Sequence, residues 1–259
     1  MNRKQFIASG IATTLLSSLP VYAMGRASKK KSEIFILIPG AWHGAFIYKR
    51  LAALLRSDEH FVYTPTLSGL AEHSHQFNPD INLTTHIQDI SLLIEYEDIS
   101  NVIIVAHSYA GMVLAGVSDK LPERISHAIY LDAFLPENGK SLSDYVPRRA
   151  NEGERPAKLK PFTDAKGFGI TDPDEIKWVN QRLTDQPGKT FTEPVTLRGA
   201  DSMVRKSFIQ LSEAPWFVEA ANRARKNGYG YYDMKTAGHD AMISMPDELK
   251  KAIYTMIRS

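Results

Sequence analysis

The sequence contains no cysteine, so disulfides, thiolate-held metals, iron–sulfur clusters and cysteine nucleophiles are excluded together. Charge of one sign is also missing. The 31 lysines and arginines against 29 aspartates and glutamates leave a formal +2, too little to draw in nucleic acid or an anionic membrane. No apolar run is long enough to span a bilayer, no internal repeat or low-complexity tract is visible, and no phosphate-binding loop or H-E-x-x-H motif occurs. What remains for chemistry is serine, histidine and carboxylate. With 43% apolar and 23% charged residues over 259 positions, the chain has the composition of a soluble globular protein and enough length for a sizeable core.

The N-terminus stands apart. Arg3 and Lys4 precede a mostly apolar stretch from residue 6 to 19, followed by Pro20-Val-Tyr-Ala23. A basic start, a short apolar core and small residues at −1 and −3 of a cut after Ala23 describe a secretory signal peptide over 1–23, with a basic linker over 24–32. Arg3-Lys4-Gln5-Phe6-Ile7 also resembles a weakened twin-arginine export signal. Cleavage removes Arg3 and Lys4 and leaves 29 basic against 29 acidic side chains. The expectation is an exported, periplasmic or secreted protein with no membrane span in its mature chain.

From residue 33 to 259 short apolar runs alternate with helical patterns, the pattern of a mostly parallel α/β sheet flanked by helices. Strands are expected over 33–38, 61–63, 102–106, 125–134, 206–211 and 229–234, and helices over 45–56 and 111–120. Ile87, Ile90 and Ile94 form a further helical stripe. A last helix is marked by Ser244 and Pro246, with Leu249, Ile253 and Met256 facing inward. Between 136 and 201 this rhythm breaks: Pro136, Pro147, Pro156, Pro161, Pro173, Pro187 and Pro194 interrupt a charged segment with no long apolar strand. So long a stretch inside a compact domain predicts an inserted, mainly helical cap rather than one loop.

The sharpest local feature is the run from Ile103 to Met112, where a buried strand leads directly into a helix with Ser108 on the turn. Such a turn crowds the positions two before and two after the serine, which must be small. Here they are Ala106 and Ala110, so the strict G-x-S-x-G pattern is absent although its steric requirement is met. A nucleophile there competes with the plainer reading of a capping serine. A strand-end nucleophile needs amide donors for its oxyanion. The N–H of Tyr109 and that of Ala41, in the loop after the first strand, are the candidates. The base should follow the last strand, where His239 lies within Thr236-Ala-Gly-His-Asp240. His43 sits too early in chain order, His107 should point away from the serine, and His73 and His75 have no carboxylate cluster to make a metal site.

Six segments in order, Pro39-Gly-Ala-Trp-His-Gly44, Leu67-Ser-Gly-Leu-Ala-Glu-His-Ser74, Thr85-His-Ile-Gln-Asp89, Ala106-His-Ser-Tyr-Ala-Gly-Met112, Tyr130-Leu-Asp-Ala-Phe-Leu-Pro136 and Gly238-His-Asp-Ala-Met242, resemble the α/β-hydrolase superfamily. The likeness is to its methylesterase, salicylate-esterase and hydroxynitrile-lyase branch, including bacterial esterases. The resemblance implies an α/β-hydrolase fold with a cap, a Ser108 nucleophile, a His239 base and oxyanion amides at Ala41 and Tyr109; the lack of any cofactor or metal motif leads to an expectation of neither. The expected partner is a small-molecule ester. Two departures stand out: Pro39 replaces the family's usual histidine before the oxyanion glycine, and the elbow glycines are alanines. The hydroxynitrile lyases of the branch resemble a variant with threonine at the place of Gly40 and lysine after the catalytic histidine, where this chain has Asp240.

The triad acid has two candidates. In many relatives it follows the strand before the last one, which puts Glu213 in the frame; Asp132, ending the strand before the cap, is the alternative used by some α/β-hydrolases. Triad geometry favours Asp132. Dehalogenase or epoxide-hydrolase chemistry would need an aspartate nucleophile where Ser108 stands. A non-catalytic small-molecule binder on the same fold is the rival of a different class. Trp42, with Tyr145, Phe162, Phe168, Trp178 and Phe191 of the cap, is available to line an apolar substrate pocket or to pack the cap onto the sheet.

Overall fold

The computed structural model describes residues 32–146 and 157–259. The expectations for the leader and nearly all of the linker, and for Pro147 and Pro156, lie outside the described residues. In chain order the elements are β1 (Ile34–Ile38), a 3-10 turn (Ala45–Tyr48) running into α1 (Lys49–Ser57), β2 (Phe61–Tyr63), α2 (Leu83–Tyr96), β3 (Val102–His107), α3 (Ala110–Lys120) and β4 (Ile125–Leu131). The cap region then carries β5 (Lys158–Leu159), α4 (Pro173–Asn180), β6 (Gln186–Pro187) and α5 (Lys189–Thr192). The sheet resumes with β7 (Arg205–Gln210), α6 (Pro215–Lys226), β8 (Gly230–Asp233), α7 (Ala241–Ser244) and α8 (Pro246–Arg258).

Six strands form one sheet in the order β2-β1-β3-β4-β7-β8, and every neighbouring pair is parallel. Because both faces are covered, alternate residues of a strand feed opposite cores. Ile36 and Ile38 of β1 point to the side of α2, α3 and α6, whereas Phe35 and Leu37 point to the side of α1, α7 and α8. Helix starts follow local chemistry: Asn82 and Thr85 cap α2 reciprocally, Asp172 accepts from the Glu175 N–H ahead of α4, and α4, α6 and α8 each open on proline. No described helix is long and apolar enough to cross a membrane.

The order of strands decides where a site can form. The chain runs outward from β1 to β2 and then crosses back to place β3 on the other side of β1. At such a reversal the loops leaving β1 and β3 diverge, opening a crevice at the carboxyl ends of the strands. The loop 39–44 and Ser108 leave from those two ends.

Several elements differ from the sequence expectation. The strand expected over 125–134 stops at Leu131, because Asp132 takes a positive φ of 42° and sends its N–H to the Ile209 carbonyl at 2.7 Å. The helix expected over 45–56 begins as a 3-10 turn. Helix α6 is not among the expected elements, although Phe217, Ala220, Ala221 and Ala224 recur at helical spacing and are buried. Among the described residues the cap region holds a 3-10 turn (Leu142–Asp144), two α-helices and the antiparallel pair β5–β6, joined by irregular chain.

Candidate active site

Ser108 occupies the turn between β3 and α3 with φ 56°, a left-handed conformation that strains a non-glycine residue and is held only when its surroundings over-determine it. They do: its N–H donates to Leu131 O at 3.2 Å, and its carbonyl accepts from Gly111 and Phe134 N–H at 3.1 Å each. Neither Ala106 nor Ala110 has a positive φ, so the turn places its strain on the serine alone and alanine suffices at both flanks. Gly40 explains how the β1 loop comes so near. A Cβ there would stand 2.8 Å from the Ser108 Cβ, a distance only glycine avoids.

The two candidate oxyanion residues, Ala41 and Tyr109, are buried, and among the described residues neither backbone N–H donates a hydrogen bond. Buried amides are nearly always paired, so two unpaired ones flanking a strained serine mark a place prepared for an acceptor. The Tyr109 ring is anchored through its hydroxyl to His86 Nδ1 at 2.9 Å. His86 in turn reaches Ser68 O at 3.0 Å, and Ser68 is held by both oxygens of Asp89 at 2.8 Å.

His239 follows β8 on a turn made by Gly238, whose φ is 77°. Its Nδ1 lies 2.7 Å from Asp132 Oδ2, so the carboxylate fixes the proton on Nδ1 and leaves Nε2 as the basic nitrogen. Asp132 is fully buried, 0% exposed, and fully satisfied. Oδ1 accepts from the N–H of Leu211 at 3.0 Å and Ser212 at 3.2 Å, and Oδ2 also accepts from Ser212 Oγ at 2.6 Å. The other acid candidate, Glu213, is exposed and makes no contact with His239 among the described residues. The His239 side chain is 12% exposed and stacks on Phe217 with ring centres 4.8 Å apart, a contact that sequence reading misses along with the whole of α6.

The remaining predicted positions separate clearly. Trp42 has φ 65° and stitches the β1 loop to the cap: its N–H donates to Gln186 Oε1 at 3.1 Å, its indole N–H to Leu159 O at 2.9 Å, and its carbonyl accepts from Thr184 N–H at 3.0 Å. Its ring sits 5.3–6.4 Å from those of Phe162, Phe168 and Phe191. Tyr145 packs on Phe134 and Arg223 instead, and Trp178 on Phe46 and Arg182. The Gly167-Phe-Gly169 run meets the His239 loop. Asp240 N–H donates to Phe168 O at 3.0 Å, and a Cβ on Gly169 would come within 2.6 Å of Gly238 Cα. The signal in the sequence is a pair of glycines, Gly169 and Gly238, in segments that no local rule connects. His107, buried directly before Ser108, is pushed well below the usual imidazole range by burial and by its neighbours His239 and His43; neutral, it donates Nε2–H to the His239 carbonyl at 3.0 Å.

Residues 35–252 match the profile of the alpha/beta hydrolase family. The chain is 34% identical over 236 residues to the carbendazim hydrolyzing esterase of Nocardioides sp. (strain SG-4G), covering 85% of this chain and 97% of that protein. It is 27% identical over 252 residues to methylesterase 10 of Arabidopsis thaliana, covering 85% and 90%. Among solved structures, an extracellular alpha/beta-hydrolase from a Paenibacillus species superposes with a TM-score of 0.74 at 21% identity, covering 86% of this chain and 98% of that one.

Proposed function

The chain belongs to the alpha/beta hydrolase family, in its methylesterase branch, and we propose that it is a serine carboxylic-ester hydrolase acting on small aromatic or alkyl esters through an acyl-enzyme. The observation that carries this is the assembly of a strained Ser108, the His239 Nδ1–Asp132 Oδ2 contact of 2.7 Å and two buried amides without partners among the described residues.

In this reading His239 Nε2 takes the Ser108 hydroxyl proton as Oγ attacks the ester carbonyl carbon. The carbonyl oxygen becomes an oxyanion and accepts from the Ala41 and Tyr109 N–H groups, each worth about 3 kcal/mol of barrier. Asp132 stabilises the imidazolium without taking its proton. The bond to the leaving alkoxide breaks, and His239 returns the proton to it. Water then gives a proton to His239 and attacks the acyl-Ser108; the acid leaves and Oγ recovers its proton. Trp42, walled by Phe162, Phe168 and Phe191, supplies an apolar contact for the substrate.

The test is hydrolysis of p-nitrophenyl acetate and butyrate, with carbendazim and methyl benzoate as further substrates, by the protein and by Ser108→Ala at matched folding. Activity lost in the variant, with an organophosphonate labelling Ser108 in the parent, supports the proposal. Activity that survives Ser108→Ala refutes the mechanism; a folded parent that neither hydrolyses nor takes the label favours the non-catalytic binder.

Export belongs to the same proposal. The basic, apolar and small-residue order ending at Ala23 supports cleavage there and a periplasmic or secreted mature chain. N-terminal sequencing of the protein from fractionated cells should begin at Met24; an intact Met1 in the cytoplasmic fraction refutes it.

A further inference from the structure

Three polar side chains beneath the site have no part in the chemistry above, yet His43, His107 and Asp240 are all buried, at 2%, 0% and 1% exposure. Among the described residues the Asp240 carboxylate accepts no hydrogen bond. Its Oδ2 lies 3.3 Å from His43 Nε2, and its Oδ1 3.9 Å from His107 Nε2. A buried carboxylate without donors is unfavourable unless a cation balances it. His43 is the group placed to do so. Burial pulls its pKa down, but the charge and close contact of Asp240, with the bond to Ala41, outweigh this and raise it above the ordinary imidazole value. With its Nδ1–H donated to the Ala41 carbonyl at 2.7 Å, His43 faces Asp240 with Nε2. Tyr48 is the other titratable group facing this carboxylate; burial and Asp240 raise its phenol well above the usual range, and its hydroxyl donates to Ile38 O at 3.3 Å.

The arrangement touches every working part of the proposed site at one remove. His43 holds Ala41, whose N–H faces the oxyanion. Asp240 follows His239 in the chain. His107 precedes Ser108 and holds the His239 carbonyl at 3.0 Å. Among the described residues the loops after β1, β3 and β8 share no backbone hydrogen bond with one another; the cap holds the first and last of them from outside through Trp42 and Phe168, and these three side chains link all three from within.

We propose that His43, Asp240 and His107 are positioning residues that lock the Ala41 amide and the His239 loop against the Ser108 turn. The inference rests on the esterase reading and adds residues to it that touch no reacting atom. Misplacing a donor or base by a fraction of its range slows turnover without weakening ground-state binding.

The experiment measures kcat and KM for p-nitrophenyl acetate in His43→Leu, Asp240→Ala and Asp240→Asn, with near-UV circular dichroism to confirm folding and active sites counted by organophosphonate labelling. His43→Leu and Asp240→Ala should lose roughly 10–100-fold in kcat per labelled site with KM within about 2-fold. Asp240→Asn, whose amide can still reach His43 Nε2, should restore kcat to within about 5-fold of the parent. A purely structural role would lower the thermal midpoint and the count of labelled sites while leaving kcat per site unchanged, and that result overturns the proposal. Where His43→Leu or Asp240→Ala does not fold, His43→Gln replaces it: the glutamine amide reaches Ala41 O or Asp240 but not both, so a folded variant with parental kcat overturns the proposal equally, and a loss of about 3-fold or more supports it. A parent without Ser108-dependent hydrolysis overturns both readings, whereas Ser108-dependent hydrolysis with unchanged kcat in these variants overturns this one alone.

Discussion

If Asp132 is the triad acid proposed above, replacing it by asparagine should cost about 10³–10⁴ in kcat while leaving the protein folded, and the hydrogen bonds around it give the reason for both halves. Asp132 accepts four hydrogen bonds, from Leu211 N, Ser212 N, Ser212 Oγ and His239 Nδ1. Asparagine keeps an oxygen for the two amides, and the Ser212 hydroxyl can rotate to accept from the new NH₂. Its backbone also suits the site, since φ is 42° here and asparagine tolerates that region better than most residues. Only the histidine contact inverts. Facing a donor, His239 Nδ1 must become an acceptor, the ring proton moves to Nε2, and Nε2 can no longer take the Ser108 proton. That loss corresponds to about 4–5.5 kcal/mol of barrier. The assay is kcat for p-nitrophenyl acetate at concentrations normalised by near-UV circular dichroism, beside Glu213→Gln, which should stay within about 2-fold because Glu213 is exposed. A folded Asp132→Asn that keeps more than a tenth of parental kcat, or a larger loss in Glu213→Gln, would refute the assignment of the acid.

Two further outcomes follow from the packing and the charges. Gly169→Ala should destabilise the protein by about 1–3 kcal/mol in urea unfolding, because φ is 89° there and the new Cβ would sit 2.6 Å from Gly238 Cα and 3.2 Å from His239 N. Activity should fall with it as the His239 loop shifts; an unchanged midpoint with unchanged kcat would show that the cap does not bear on that loop. Burial and the nearby Arg205 push His127 down to about 4 from 6.5, so between those values the unfolded chain binds a proton that the folded one does not. Its contribution is therefore complete above about pH 6.5 and declines as pH falls toward 4, by about 2.5 kcal/mol at pH 4.5. Unfolding free energies from urea titrations at pH 7 and 4.5 should differ less in His127→Gln by that amount; equal differences in variant and parent would count against it.

The strands and the serine turn are legible because their determinants are local. A run such as Val102–His107 is apolar throughout up to its final histidine and wholly buried, and the small flanks Ala106 and Ala110 mark the turn even without the glycine pattern. Helix α6 carries a readable stripe too, but Pro215 opens it so soon after β7 that the segment reads as loop. The cap is legible only as an interruption. Its contacts with the site, Phe168 O to Asp240 N and Gly169 against Gly238, join segments some seventy residues apart with no motif between them.

Sequence alone set the class of fold, the position of the serine turn and the histidine after the last strand, since hydrophobic period and turn sterics act within a few residues. It left two carboxylates open, read a family of motifs without their register, and gave His43 and Asp240 no role. Those matters belong to tertiary structure. Which acid meets His239 depends on β4 lying beside β7, so that the amides of Leu211 and Ser212 converge on Asp132. Whether His43 and Asp240 meet depends on the loops after β1 and β8 closing over the same buried point. A carboxylate's partner is set by what the folded chain brings within about 3 Å of it in a dry interior, and that distance is not written in any stretch of sequence.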